Sequence, residues 1–124
     1  MTQVTESIRA TAMEDFHRNR AAISQNEVDY EVTVNILGLP AAEFTVDPDA
    51  VRVTSARIDV LAAWFFAKGG TVTRSDTGFG VAVWTLATNA GADEGYTGCR
   101  VLVTVPVPVS GWVPCEVSEA VKAA

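Results

Sequence analysis

The pattern of apolar and polar positions changes period several times along the chain, and each change marks an element. Val4, Ile8, Ala12 and Phe16 recur at every fourth position, with Ile23 extending the series, which predicts an amphipathic helix over 2–24. Glu6 lies three residues before Arg9, and Glu14 and Asp15 lie four and three before Arg18, so the other helix face reads as solvated ion pairing. From Val28 the period becomes two: Val28, Tyr30, Val32, Val34 and Ile36 alternate with Asp29, Glu31, Thr33 and Asn35 up to Gly38 and Pro40. That alternation predicts a strand with one buried and one wet face, the wet face lined by Asp29 and Glu31.

A short strand is expected at Glu43 to Val46, then a turn at Asp47-Pro48-Asp49, with Val51 and Val53 extending the sheet. A second helix runs to Lys68, with Thr54 or Ser55 as its cap and Gly69-Gly70 closing it. Thr71 to Arg74 and Gly80 to Thr88 form a hairpin across a polar, glycine-containing turn. The loop Asn89 to Gly98 leads to a last strand, Cys99 to Val109, whose Val101, Val103, Val105, Val107 and Val109 share a face. Pro106 and Pro108 withhold donors on one side of that strand, so its later half is expected to be an edge or to peel away. Cys115 to Ala124 reads as a short helix or a frayed tail. The order of elements defines an α+β single domain over 1–124, opened by an N-terminal helix at 1–26. Its sheet should be twisted and mostly antiparallel, of four to five strands, with two main helices packed on one face.

The second helix carries two apolar stripes, Ile58, Leu61, Ala62, Phe65 and Val60, Trp64, Ala67, with Phe66 between them and only three charges. One sheet face cannot cover so much of a helix circumference. Something further should shield it, and self-association through Trp64 and Phe66 is the expectation.

Composition narrows the function classes. With 124 residues, 48% hydrophobic and 19% charged, and no apolar run near the roughly 20 residues of a membrane span, the chain reads as a globular domain that does not enter a membrane. The early charges argue against a secretory signal, so a cytoplasmic setting is expected. The net charge is −6, and the segment from Ala21 to Val51 alone accounts for it, with six acids and no base. Direct nucleic-acid binding needs clustered Lys and Arg, and Arg18-Asn19-Arg20 is too small a cluster.

Candidate chemistry is sparse. Asp76-Thr77-Gly78 matches the aspartic-peptidase tripeptide, but Thr73, Arg74 and Ser75 stand where that family needs apolar strand residues. Lys68-Gly69-Gly70-Thr71 has its lysine before the glycines and follows a helix, the reverse of a phosphate loop. His17, the one histidine, has no nucleophile beside it in sequence, and Cys99 and Cys115 lack metal-ligand spacing. No catalytic residue, cofactor or metal site is expected.

These features favour a non-enzymatic protein-interaction or assembly module, a homodimer with a protein partner. Asp29, Glu31, Phe79 and Trp112 are the partner-binding candidates. The alternative is a cone-shaped α+β domain with an apolar small-molecule pocket lined by Tyr30, Trp64 and Trp84, with Asp59 or His17 as its polar group.

Overall fold

The computed structural model describes residues 2–91 and 98–121, with side chains from Thr11 onward. Its elements are α1 (Thr2–Leu37), β1 (Glu43–Val46), β2 (Val51–Thr54), α2 (Ile58–Lys68), β3 (Thr71–Asp76), β4 (Val81–Ala90), β5 (Cys99–Pro108) and α3 (Cys115–Ala120). The strands form one sheet in the order β1-β2-β5-β4-β3, antiparallel throughout except for the parallel pair β2–β5. The domain is α+β, with both main helices on one face of the sheet.

Strand alternation builds that face. Val51 and Val53 of β2, Val101, Val103 and Val105 of β5, Leu86 of β4 and Val72 of β3 are all fully buried beneath the helices. In register they make apolar rows across the sheet, such as Val51–Val101 and Leu86–Val103. The opposite face holds Thr54, Val83, Thr85, Ala87, Leu102 and Thr104, exposed or half-buried, and no helix of the described residues lies on it. β2 pairs with β5 only as far as Thr104, so Pro106 and Pro108 face an open edge where β2 has ended, while their strand stays in register with β4 on the other side.

Gly69 closes α2 by donating its N–H to the Phe65 carbonyl at 2.8 Å with φ +70°. A side chain on Gly70 would put its first carbon 2.3 Å from the Ala87 carbonyl oxygen, so the helix-to-β3 turn sits directly on β4. The helix starts later than the cap residues suggest. Ser55 Oγ accepts the Arg57 N–H at 3.0 Å in a tight turn, and α2 begins at Ile58 without a side-chain cap.

The main correction concerns residues 25–37. The helix expected to stop at Gln25-Asn26 continues to Leu37, and the strand expected over Val28 to Ile36 does not form. Helical spacing then sorts the same residues differently: Asp29, Tyr30 and Thr33 turn inward while Val28, Val32 and Ile36 stay exposed. The β-branched residues that suggested a strand lie on the outer side of a helix, because the packing of Tyr30 outweighs a propensity difference of a few tenths of a kcal/mol per residue.

The lower half of α1 is pinned by several contacts. Asn26 donates its side-chain amide to the carbonyls of Asp47 and Pro48, at 2.9 and 3.1 Å. Cys99 Sγ donates to the Asn26 carbonyl, and Gly91 donates its N–H to Thr33 Oγ1 at 2.8 Å. The Tyr30 ring stacks on Trp64 at 5.7 Å between centroids and packs on Phe44 at 4.4 Å. Toward the N-terminus these contacts cease, and every residue from Thr11 to Ala21 is exposed. α1 is thus a helix of about 54 Å whose upper part projects as an arm.

Candidate functional site: an apolar strip at one end of the sheet

The end of β5 generates the site. After Pro108, Val109 donates its N–H to the Gly80 carbonyl at 2.9 Å, and Gly111 donates to the Pro108 carbonyl at 2.7 Å. Gly111 is confined there: a first side-chain carbon would meet the Pro108 oxygen and a Val107 methyl, each at 2.9 Å. This turn carries the chain around the domain edge and leaves Trp112 74% exposed. Buried Pro114 then leads into α3, whose Val117 is fully buried and whose following residue Val121 bridges to Val72 of β3.

Trp112 borders two clefts. One, of about 370 Å³, lies against α2 and is lined by Asp59, Ala62, Ala63, Phe66, Trp112 and Pro114. The other, of about 570 Å³, lies against the hairpin and includes Arg74, Ala82, Trp84, Val109 and Trp112. Within it the Arg74 guanidinium carbon sits 5.9 Å from the centre of the Trp84 ring, a cation–π distance. The Val109–Gly80 bond brings the hairpin tip beside the same turn, and there Phe79 is 90% exposed. Phe79, Val109, Trp112 and Phe66 therefore follow one another along one end of the molecule. Its charged groups are Arg74 and Asp59, and the carboxyl of Asp59 is held below the usual carboxylate range by the hydrogen bond from Arg57 and its positive charge.

The structure separates the residues of the sequence reading. Phe66 and Trp112, assigned to different surfaces, share a cleft. Trp64 offers no self-association surface because it is fully buried under Tyr30, with its indole N–H unpartnered. α2 packs on β4 and β5, and Tyr30 of α1 stacks on its Trp64, a cover that a strand over 28–36 would not supply; of its large apolar side chains Phe66 stays exposed. Asp29 is not on a wet face: it is buried, accepts a hydrogen bond from Gln25 at 3.1 Å and packs against Gly91. Glu31 is exposed.

The five residues of the expected pocket are not gathered. Tyr30 and Trp64 stack on each other and fill the space between helices and sheet. Trp84 lines the hairpin cleft, Asp59 pairs with Arg57 on the surface, and His17 sits on the arm in edge contact with Phe16. Both cysteines are free thiols, Cys99 buried and Cys115 exposed. Among the described residues no group of three His, Cys, Asp or Glu side chains is placed to hold a metal ion, and no helix is long and apolar enough to cross a membrane. Most of the loop from Asn89 to Gly98, residues 92–97, lies outside the described residues.

Phe79 and Trp112 are exposed, as their positions in the sequence suggest, whereas Arg74 and the cleft shared by Trp112 and Phe66 were not anticipated. The pairing of Thr71–Asp76 with Val81–Ala90 puts Arg74 directly across from Trp84 on one face, so a register count along the hairpin could have found it. No family model, curated protein or solved structure matches the chain.

Proposed function

We propose that the protein is a non-enzymatic interaction module, and that the strip from Phe79 through Trp112 to Phe66 is where it docks a protein partner. The single observation that carries this is the exposure of Phe66 and Trp112 on one shared cleft, at 59% and 74%. Single exposed apolar residues need no explanation, but large aromatics grouped at one edge resemble the anchor residues of protein interfaces. Arg74, in the hairpin cleft beside Trp112, favours a partner segment with apolar side chains flanked by a carboxylate, since a guanidinium bonds carboxylates with two parallel donors. The exposed Glu27 and Glu31 add an acidic surface on α1, where a basic group of the partner would increase the rate of encounter.

The test is affinity capture from the native host with the wild-type chain and a Phe66→Ser/Trp112→Ser variant side by side. A partner retained by the wild type and lost by the variant, at an unchanged melting temperature, is the expected result. Equal recovery by both, or none by either, overturns the proposal.

A further inference from the structure

The strand order places β3 at an edge of the sheet. Thr77 donates its N–H to the Val81 carbonyl, so by alternation the backbone groups of residues 71, 73 and 75 turn toward β4. Those of Val72, Arg74 and Asp76 turn outward. Val121 bridges Val72 on that side. Among the described residues nothing bonds to the outward N–H and C=O groups of Arg74 and Asp76. Beyond Asp76 the chain turns back toward β4, with Asp76 Oδ1 accepting the Gly78 N–H at 2.9 Å and Gly78 at φ +80°. The open edge is therefore Arg74-Ser75-Asp76, all three exposed, with the base and the acid on one face of the strand.

We infer that this edge pairs antiparallel with the same three residues of a second copy, about a two-fold axis through Ser75. Two five-stranded sheets then join into one of ten strands. Charges on an edge strand ordinarily keep other strands away, but this edge is complementary to itself. Antiparallel pairing through the outward groups allows three registers. Arg74 can stand across from Arg74, Asp76 across from Asp76, or Arg74 across from Asp76.

The first register sets Asp76 across from Val72, whose outward side Val121 already occupies. The second reaches into the turn at Gly78, where the strand has ended. Both also place like charges directly opposite each other, which destabilises a sheet. The third uses only the open residues. It joins the N–H and C=O groups of Arg74 and Asp76 in four hydrogen bonds and sets two Arg74–Asp76 pairs side by side across the axis. Each hairpin leaves the shared edge at its Gly78 turn, ahead of the other copy's Val121. A foreign strand would need an acid and a base two positions apart in the matching order, which a second copy supplies by symmetry. The joint is isologous and closes at two copies. It goes beyond the apolar docking strip, since main-chain bonds supply its affinity and the carboxylate meeting Arg74 is the second copy's.

The experiment uses the full chain in analytical ultracentrifugation. Four backbone bonds and two ion pairs, set against a net charge of −6 on each copy, make a weak joint. The wild type should therefore pass from monomer to dimer over about 10 to 500 µM. Arg74→Asp and Asp76→Arg should each weaken the dimer about tenfold or more. An equimolar mixture of these two variants should dimerise, because every Asp then faces an Arg. Asp76 also holds the Gly78 turn, so the mixture is the decisive arm: chains that fail alone and pair together are folded. For register, Ser75→Cys and Thr71→Cys are placed separately in a Cys115→Ser background and oxidised. Ser75→Cys should cross-link, since its two Cα atoms stand about 4.5 Å apart at the axis, within reach of a disulfide. Thr71→Cys should not, being about 27 Å from its copy along the joint at about 3.4 Å per residue. A monomer at every concentration, a dimer indifferent to both charge reversals, a mixture that stays monomeric, or equal cross-linking at the two positions each overturns the inference.

Discussion

The two halves of α1 share a helix and differ in everything else. From Ala22 to Leu37 it is a structural element of the domain: Tyr30 stacks on Trp64, Asn26 bridges to the β1–β2 turn, and Thr33 receives the Gly91 N–H. From Thr11 to Ala21 every residue is exposed. The lower half carries the more β-like composition, with Val28, Val32, Thr33, Val34 and Ile36, yet it is held most firmly. Helix in this protein is therefore decided by what a face packs against, and intrinsic propensity is a minor contribution beside it.

The comparison breaks most sharply at Tyr30. Tyr30→Ala removes a ring enclosed by Trp64 and Phe44 and leaves Trp64 uncovered, so it should cost about 3–5 kcal/mol in urea unfolding, the range of large aromatic truncations in cores. A loss under 1 kcal/mol would show that the lower half is not docked as described. Gly91→Ala should cost less, about 1–3 kcal/mol, through left-handed strain at φ +69° and a new carbon 3.1 Å from Asp29. It should also loosen the last turns of α1, seen as faster amide exchange around Thr33.

How far this could be read in advance follows from the same contrast. The sheet was legible because its strands obey a period of two and end at residues with a defined backbone role, such as Gly69-Gly70 and the Pro106–Pro108 edge. Strands β1, β4 and β5 lie within two residues of expectation, and β3 runs on to Asp76. The lower half of α1 was not legible, because Val28, Tyr30, Val32, Val34 and Ile36 satisfy a period of two while the helical face uses only Tyr30, Thr33 and their neighbours. A face made of Asp29, Tyr30 and Thr33 has little hydrophobic contrast, so no periodicity marks it. That one misassignment put Asp29 in solvent and left Trp64 without its cover. Phe79 and Trp112 could be found because each stands beside glycines that stop the chain from enclosing it. The cleft joining Trp112 to Phe66 depends on the path of residues 109–114 around the domain edge, which only the folded chain shows.

A pH titration sharpens the picture of the docked half. Burial raises the Tyr30 hydroxyl above its ordinary 10.0, and burial, with Asp29 nearby, raises the Cys99 thiol above 9.0. In both cases the folded chain keeps a proton that the unfolded chain gives up, so the folded state binds more protons and stability falls as pH rises. The contribution is complete below about pH 8, and stability should fall first through the Cys99 range and then through that of Tyr30. Cys99→Ala should remove the earlier part of the alkaline loss and Tyr30→Phe the later part, each read from melting temperatures between pH 8 and 11. A profile flat to pH 11 in the wild type would mean that neither group is sequestered.

The smallest expected effect is in the arm. Phe16→Ala at 1 µM protein should change the unfolding free energy by less than about 0.5 kcal/mol, as expected for an exposed surface site whose ring meets the exposed His17 edge-on. Tyr30→Ala, fourteen positions along the same helix, is expected to cost many times more. The ratio reports where the domain ends and the arm begins. Amide exchange gives the same boundary without a substitution: protection should drop between Ile23 and Asn19 at low concentration.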